Sequence, residues 1–315
     1  MSDPVVSRLQ RQLHGSVRPD APLAAQTTLR VGGPARALVV AEDDHDLAVV
    51  GRVAAEQRLP VAVVGRGSNL LVADAGWPGI AILLGSGFRG RQVHGGRVRA
   101  GAAEPLPTLA VQLADAGLAG FAWACAVPGT LGGAVRMNAG AHGGDMSDHL
   151  VEVEVVRLSS GVRETWPAAQ LQLGYRRSVL PSDAVVVAAV LELADGDAGT
   201  VRAEIADIRA WRRAHQPLNE PNCGSVFANP PGDSAGRLID AAGGKQVVFG
   251  GARVSERHAN FVVTRPGARA ADVRSVLREV RTRVWEHAGV LLRTEVVMLG
   301  DFADEGIDPP VDVVR

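Results

Sequence analysis

The stretch Val127–Ala141 reads VPGTLGGAVRMNAGA, and the chain is best read outward from it. It sets Pro128, Gly129, Gly132, Gly133 and Gly140 around Thr130 and Asn138, with Arg136 as its one charged side chain. Glycine lets a backbone come within van der Waals distance of a flat or charged group, because no Cβ intervenes. Short polar side chains beside it can bond a ligand or their own backbone. Taken alone, such a stretch reads as a buried turn. Its meaning depends on three other segments, Thr27–Ala35 (TTLRVGGPA), Gly65–Leu71 (GRGSNLL) and Cys223–Pro230 (CGSVFANP).

The chain of 315 residues is long enough for about two domains with substantial cores. Lysine and arginine total 33 against 34 acidic residues, a net charge of −1. That balance carries no electrostatic footprint for nucleic acid or an anionic membrane. An anionic ligand would have to be held by local arginines and backbone amides. Lys245 is the single lysine, and guanidinium groups favour planar, two-bond contacts with carboxylate or phosphate. No apolar run reaches membrane-spanning length and the N-terminus lacks the form of a signal peptide, so a cytoplasmic location is expected. Cys125 and Cys223 have no metal-ligand spacing and read as small buried residues, the alternative being a redox pair. No metal site is expected.

In order along the chain, a short outer helix is expected within residues 1–20, then a strand over Ala37–Val40. A helix capped by Asp43 or Asp44 follows, ending near Leu59-Pro60. The strand Val61–Val64 runs into GRGSNLL. A dinucleotide-binding fingerprint would need a third glycine at position 70 and a helix after it. Leu70 stands there, and ADAGWPG precedes the next strand, Ile80–Leu84. Such a turn can still form a nest of N–H groups for a pyrophosphate. Strands are expected at Arg97–Ala100, Val151–Leu158 and Val185–Leu193, and helices at Pro107–Ala116 and Val201–His215. Beyond them come the helix Ala235–Ala242, a strand pair Gly250–Val254 with Asn260–Val263, the helix Ala271–Ala288 and a final strand Leu291–Leu299 carrying Glu295. The residues from Asp301 carry no core signal.

The glycine-rich stretch and its three partner segments, in this order, closely resemble the UDP-N-acetylenolpyruvoylglucosamine reductases, the MurB family of flavoenzymes, from about Thr27 to Gly300. The resemblance implies an α+β chain with an FAD-binding fold of the MurB and vanillyl-alcohol-oxidase-like type. It implies FAD-binding subdomains over residues 1–85 and 86–213, a smaller α/β substrate-binding domain over 214–300, and a tail over 301–315. FAD contacts are then expected from Arg30, Gly32, Gly65, Arg66, Gly67, Ser68, Asn69 and Leu70. Others are expected from Pro128, Gly129, Thr130, Gly132, Gly133, Asn138, Ala139 and Gly140. Relatives that bind flavin covalently often carry a histidine in the first of these loops. Ser68 and Asn69 occupy it here, which implies non-covalent FAD.

The reaction implied is the reduction of the enolpyruvyl double bond of UDP-N-acetylglucosamine enolpyruvate, with NADPH as hydride donor through FAD. It requires stabilisation of negative charge on the carbon bearing the carboxylate, and a proton delivered there. The resemblance places Arg176, in Leu173-Gly174-Tyr175-Arg176-Arg177-Ser178, beside the substrate carboxylate, which a guanidinium grips with two parallel bonds. Ser225 suits the proton donor. Glu295, flanked by Val296, Val297 and Met298, suits a carboxyl kept protonated by desolvation, or one that fixes another group's proton. Tyr175, Asn229, Arg237, His258 and Asn260 are further substrate-side candidates. Ala228 stands where the family often has lysine, and the absence of a second tyrosine removes the lid of the longer branch, so the chain resembles the shorter, type II branch. A monomer is expected. The competing readings are a flavin oxidase of sugars or alcohols on the same scaffold, which CGSVFANP argues against, and a catalytically idle flavin- or UDP-sugar-binding protein.

Overall fold

The computed structural model describes residues 3–302. It begins with helix α1 (Pro4–Gln12), started by the Asp3 side chain accepting from Val5 N at 2.8 Å. Val5, Val6 and Leu9 bury one face of α1 against α2 (Asp44–Gln57). The strand Ser16–Pro22 follows, an element the sequence reading missed because Pro19, Asp20 and Pro22 interrupt any apolar alternation. It forms the edge of a four-stranded sheet, in the order 16–22, 34–41, 77–84, 61–63. Its pairing with 34–41 is antiparallel, while the pairings among the other three are parallel. Asp43 caps α2 by accepting from Asp46 N, and Arg58 ends it in a left-handed conformation.

The second sheet is antiparallel, with strands in the order 163–167, 150–157, 184–192, 97–101, 91–94. The strand Ala184–Glu192 is buried at every residue but the last, as befits a central strand with both faces covered. One face packs on helices α3 (Leu106–Asp115), α4 (Leu131–Met137) and α5 (Ala198–His215). Val156, Val185 and Val187 on the other face share a core with α1, α2 and the first sheet, so the first two sheets are stacked rather than separate.

The third sheet, 222–225, 261–264, 252–254, 248–249, is antiparallel and packs on α6 (Ala235–Ala241) and α7 (Ala270–Ala288). Its core takes in Leu29, Val31 and Leu71 from the first unit. Thr264 Oγ1 donates to Leu29 O at 2.6 Å, and both Asp74 oxygens accept amides at the start of α7, from Ala270 N at 2.8 Å and Ala271 N at 3.0 Å. Charge placed at unpaired helix N–H groups is favourable, so Asp74 ties the third unit to the first.

Two expectations need correction. The glycine-rich stretch is not all loop, because residues 131–137 form α4. A Cβ on Gly132 would lie 2.9 Å from Ala102 Cβ, so glycine here serves close packing of a helix on the second sheet. The final strand is also shorter than expected, with only Val297–Leu299 pairing, parallel to Leu70–Val72. Residues 291–296 instead cross between units, and Glu295 lies in that crossing. The tail expected over 301–315 lies, beyond Phe302, outside the described residues.

Candidate active site

Residues 65–70 and 128–133 face each other. A Cβ built on Gly65 would lie 2.7 Å from Thr130 Oγ1, and one on Gly129 would lie 3.6 Å from Ser68 Oγ. The second loop is pinned from behind: Leu106 N donates to Gly129 O, Leu131 N to Glu104 O, and Gly132 N to Ala102 O. Thr130 Oγ1 accepts from Gly133 N at 3.4 Å and so caps α4. Gly67 has φ +59°, its carbonyl accepts from Thr28 N at 3.2 Å, and a Cβ there would strike the Gln26 carbonyl oxygen at 2.0 Å. By contrast, the amides of residues 65–69, and those of Gly129 and Thr130, make no hydrogen bond to protein among the described residues. Unpaired N–H groups on two facing glycine-rich loops are a fitting donor set for a pyrophosphate. Pro128, Arg30 and Arg66 are exposed at the rim. Gly32 packs on Val72, and Leu70 enters the strand to Val297.

The far end of α4 leads to the Tyr-Arg-Arg-Ser turn. Asn138 ends the helix in a left-handed conformation and is 2% exposed. Its side chain is taken up by protein: Oδ1 accepts from Ser147 N at 2.9 Å, and Nδ2 donates to Gly174 O at 3.0 Å. Ala139 O accepts from Met146 N, and Gly140 opens a small hairpin with Asp145. The Gly140 carbonyl accepts from Arg176 Nη2 at 2.8 Å, while Arg176 Nε donates to Glu295 Oε1 at 2.8 Å. One side of the guanidinium is therefore fixed. Its end, formed by Nη1 and the second Nη2 hydrogen, has no partner among the described residues and is open to a carboxylate.

Glu295 is brought to Arg176 across 119 positions of sequence. Its amide donates to Val226 O at 2.8 Å, and its carbonyl accepts from Asn69 Nδ2 at 3.1 Å. Val297 N donates to Asn69 O, so one asparagine of the first loop holds the crossing strand on both sides of Val296. Burial raises the Glu295 carboxyl above its ordinary range and outweighs the opposing pull of Arg176. Ser225 lies one residue from the Val226 contact, after Gly224 at φ +77°, and its hydroxyl has no hydrogen bond among the described residues.

Ser225 also lines a cleft of about 360 Å³, together with Asn229, Arg237, Lys245, Arg257 and His258. Asn229 Oδ1 accepts from Ala235 N, and Asn229 N donates to Tyr175 OH at 3.4 Å, joining the two substrate-side turns. Arg237 donates through Nε to Asp233 at 2.7 Å, and that contact pulls the Asp233 carboxyl down to about 2. His258 Nδ1 accepts from Asn260 N at 3.2 Å, which leaves the proton of the neutral ring on Nε2. Burial first, then the charge of Lys245, holds His258 below its usual pKa. Asn260 is 3% exposed and spends its amide on both backbone groups of Phe227. It fastens the Ser225 turn from behind.

Lys245 and Arg257 escaped the sequence reading. Lys245, the chain's one lysine, carries only a compositional signal in the sequence. It pairs with Asp240 at 2.9 Å, and both line the cleft. Arg257 donates to Arg213 O at the end of α5. The Asn69–Glu295 bond had no sequence signal, since its partners are 226 positions apart. Cys125 and Cys223 are both buried and free, and burial pushes the Cys223 thiol up to about 12.

Comparison with known proteins bears on this arrangement. Residues 216–299 match the UDP-N-acetylenolpyruvoylglucosamine reductase C-terminal domain, and residues 35–165 match an FAD binding domain. The chain is 43% identical over 298 residues to the UDP-N-acetylenolpyruvoylglucosamine reductase of Heliobacterium modesticaldum, covering 94% of this chain and 95% of that one. It is 42% identical to the enzyme of that name from Methylorubrum populi, covering 93% and 95%. The crystal structure of that reductase from Thermus caldophilus superimposes with a TM-score of 0.78 at 35% identity, over 91% of this chain and all of the other.

Proposed function

The chain belongs to the UDP-N-acetylenolpyruvoylglucosamine reductase family, and from that premise we propose how its residues divide the work. It is an FAD-dependent oxidoreductase of α+β fold that reduces UDP-N-acetylglucosamine enolpyruvate to UDP-N-acetylmuramate with NADPH, in peptidoglycan precursor synthesis. FAD, when bound, carries hydride from NADPH to the methylene carbon of the enolpyruvyl group. Residues 1–85 and 86–213 form its cradle, and the unpaired amides of the loops at 65–69 and 129–130 take its pyrophosphate. No covalent link is expected. Residues 214–300 receive the sugar nucleotide. We read the protein as a cytoplasmic monomer, and its net charge of −1 gives no electrostatic footprint for a nucleic-acid partner.

The observation that carries this reading is the placement of Arg176 between the Gly140 carbonyl and the Glu295 carboxyl. With one side fixed by Gly140 O and Glu295, the open end of the guanidinium grips the substrate carboxylate. There it meets the charge that develops as hydride arrives at the neighbouring carbon. A neutral Glu295, favoured by burial, avoids repelling that charge. Ser225 delivers the proton to the carbon bearing the carboxylate. Asn229, Arg237 and His258 line the cleft, Tyr175 joins them through Asn229 N, and Arg257 with Lys245, the latter paired with Asp240, are the further cationic groups there for a diphosphate.

The test divides the reaction in two. The purified protein should be yellow and should release intact FAD on heating. NADPH should bleach it without air, and the enolpyruvyl nucleotide should restore the colour. Ser225→Ala should bleach normally but recover colour ~10²–10⁴-fold more slowly, as for loss of a general acid. Recovery at the parent rate would remove Ser225 from the role. Failure of the nucleotide to reoxidise the parent would remove the activity.

A further inference from the structure

The segment that carries Arg176 is gripped by the last turn of α4 and the residues just after it. Gly174 and Arg177 close a tight turn, each donating its amide to the other's carbonyl at 3.1 Å. Within that turn Arg176 has φ +58°, a conformation that an L side chain rarely adopts. Two side-chain bonds hold the turn from outside, one on each flank. Asn138 Nδ2 donates to Gly174 O at 3.0 Å, and Ser178 Oγ donates to Arg136 O at 2.7 Å. Further on, the Arg136 guanidinium donates to the carbonyls of Leu180, Pro181 and Ala184 at 3.3, 3.0 and 2.7 Å.

We propose that Asn138 and Ser178 are positioning residues for Arg176, clamping from either side the strained turn that aims its guanidinium. This rests on the assignment of Arg176 to the substrate carboxylate made above. The Gly174–Arg177 bonds define the turn's shape, and Val179 N donating to Leu171 O at 2.9 Å closes the base of the loop. The two outer side-chain bonds seat that loop on α4 and the residue after it and keep Arg176 from relaxing to negative φ. Asn138 has no spare capacity for a ligand, since it is buried and its oxygen already serves Ser147 N. Ser178 bonds only the backbone of α4. The same short helix, about 10 Å long at 1.5 Å per residue, thus carries the Thr130 loop at one end and the clamp on Arg176's turn at the other.

The test uses Ser178→Ala, with Ser178→Thr as the variant that keeps the hydroxyl, and Asn138→Gly, which tolerates the left-handed turn. The flavin is reduced with dithionite, then reoxidised either by saturating enolpyruvyl nucleotide or by dioxygen. Reoxidation by the nucleotide should slow ~10- to 100-fold in the alanine and glycine variants, the scale of a misplaced catalytic group. Reoxidation by dioxygen and FAD affinity should be unchanged, and Ser178→Thr should recover most of the loss. Without any ligand, the Arg176 Nε–H resonance, identified by its loss in Arg176→Lys, should lose its protection from solvent exchange in the same variants. Nucleotide reoxidation at the parent rate, or an equal fall with dioxygen, would overturn the proposal. If the parent itself fails to react with the nucleotide, the functional reading falls, and the resonance alone decides the positioning role.

Discussion

Gly65→Ala and Gly67→Ala, set side by side, test whether the gap between the two loops is reserved for the cofactor. At Gly65 the added methyl meets Thr130 Oγ1 at 2.7 Å, and its next neighbours lie at 3.6 and 3.7 Å. The Thr130 hydroxyl can rotate away at the cost of its 3.4 Å bond to Gly133 N, a cap worth ~1 kcal/mol. The apoprotein should therefore lose roughly 2–4 °C in Tm. The methyl still projects between the two runs of unpaired amides. Displacing one charged hydrogen bond costs ~1.5–3 kcal/mol, so FAD affinity should fall roughly 10- to 150-fold. Gly67→Ala is different in kind. Its φ of +59° costs an L residue ~1–2 kcal/mol, and the methyl would sit 2.0 Å from the Gln26 carbonyl oxygen, adding overpacking of ~1–3 kcal/mol. The apoprotein's own Tm should fall several times further. Thermal melts of both apoproteins and FAD titrations by fluorescence quenching read the two effects separately. Parent-like FAD affinity in Gly65→Ala would refute the reasoning, and so would a Tm loss there equal to that of Gly67→Ala.

Other outcomes follow from the same geometry. Burial holds the Glu295 carboxyl above its ordinary 4.5, so the folded state keeps a proton that the unfolded chain has lost. The stability linked to that proton is complete below 4.5 and drains away as pH rises through the raised value. Glu295→Gln, always neutral, should therefore gain in Tm relative to the parent as pH rises across that window, and a pH-independent difference would contradict it. Asp74→Ala leaves the amides of Ala270 and Ala271 without acceptors, and should cost ~1–2 kcal/mol in urea unfolding, where no change would show that the cap is redundant. Cys223, with its thiol pushed up to about 12, should resist iodoacetamide at neutral pH in the native protein and react once denatured, which mass spectrometry reads directly.

What could be read from residues alone was whatever has a local cause. The start of the second helix at Asp43 or Asp44 came from capping preferences within a few residues, and Asp43 is the cap. The four motif segments, taken in order, identified the family, an FAD-binding fold and the reaction. The chain's own sequence also excluded a dinucleotide fingerprint at residue 70, where no helix follows; the short strand Leu70–Val72 that does follow was not foreseen, because its pairing partner Val297–Leu299 is far away in sequence. Tertiary structure decided the rest, because it depends on partners far apart in sequence. Glycine at 132 could mark a loop or a close-packed helix, and only the approach of Ala102 selects the helix. Glu295 could sit in a strand or a crossing, and the contacts with Asn69 and Val226 make it a crossing. Asn138 and Asn260 looked like ligand contacts because a polar residue in a glycine-rich or turn segment has the same local signature whether it faces a ligand or the backbone of another segment. Where such a side chain spends its hydrogen bonds is set by packing, and packing is a property of the whole fold.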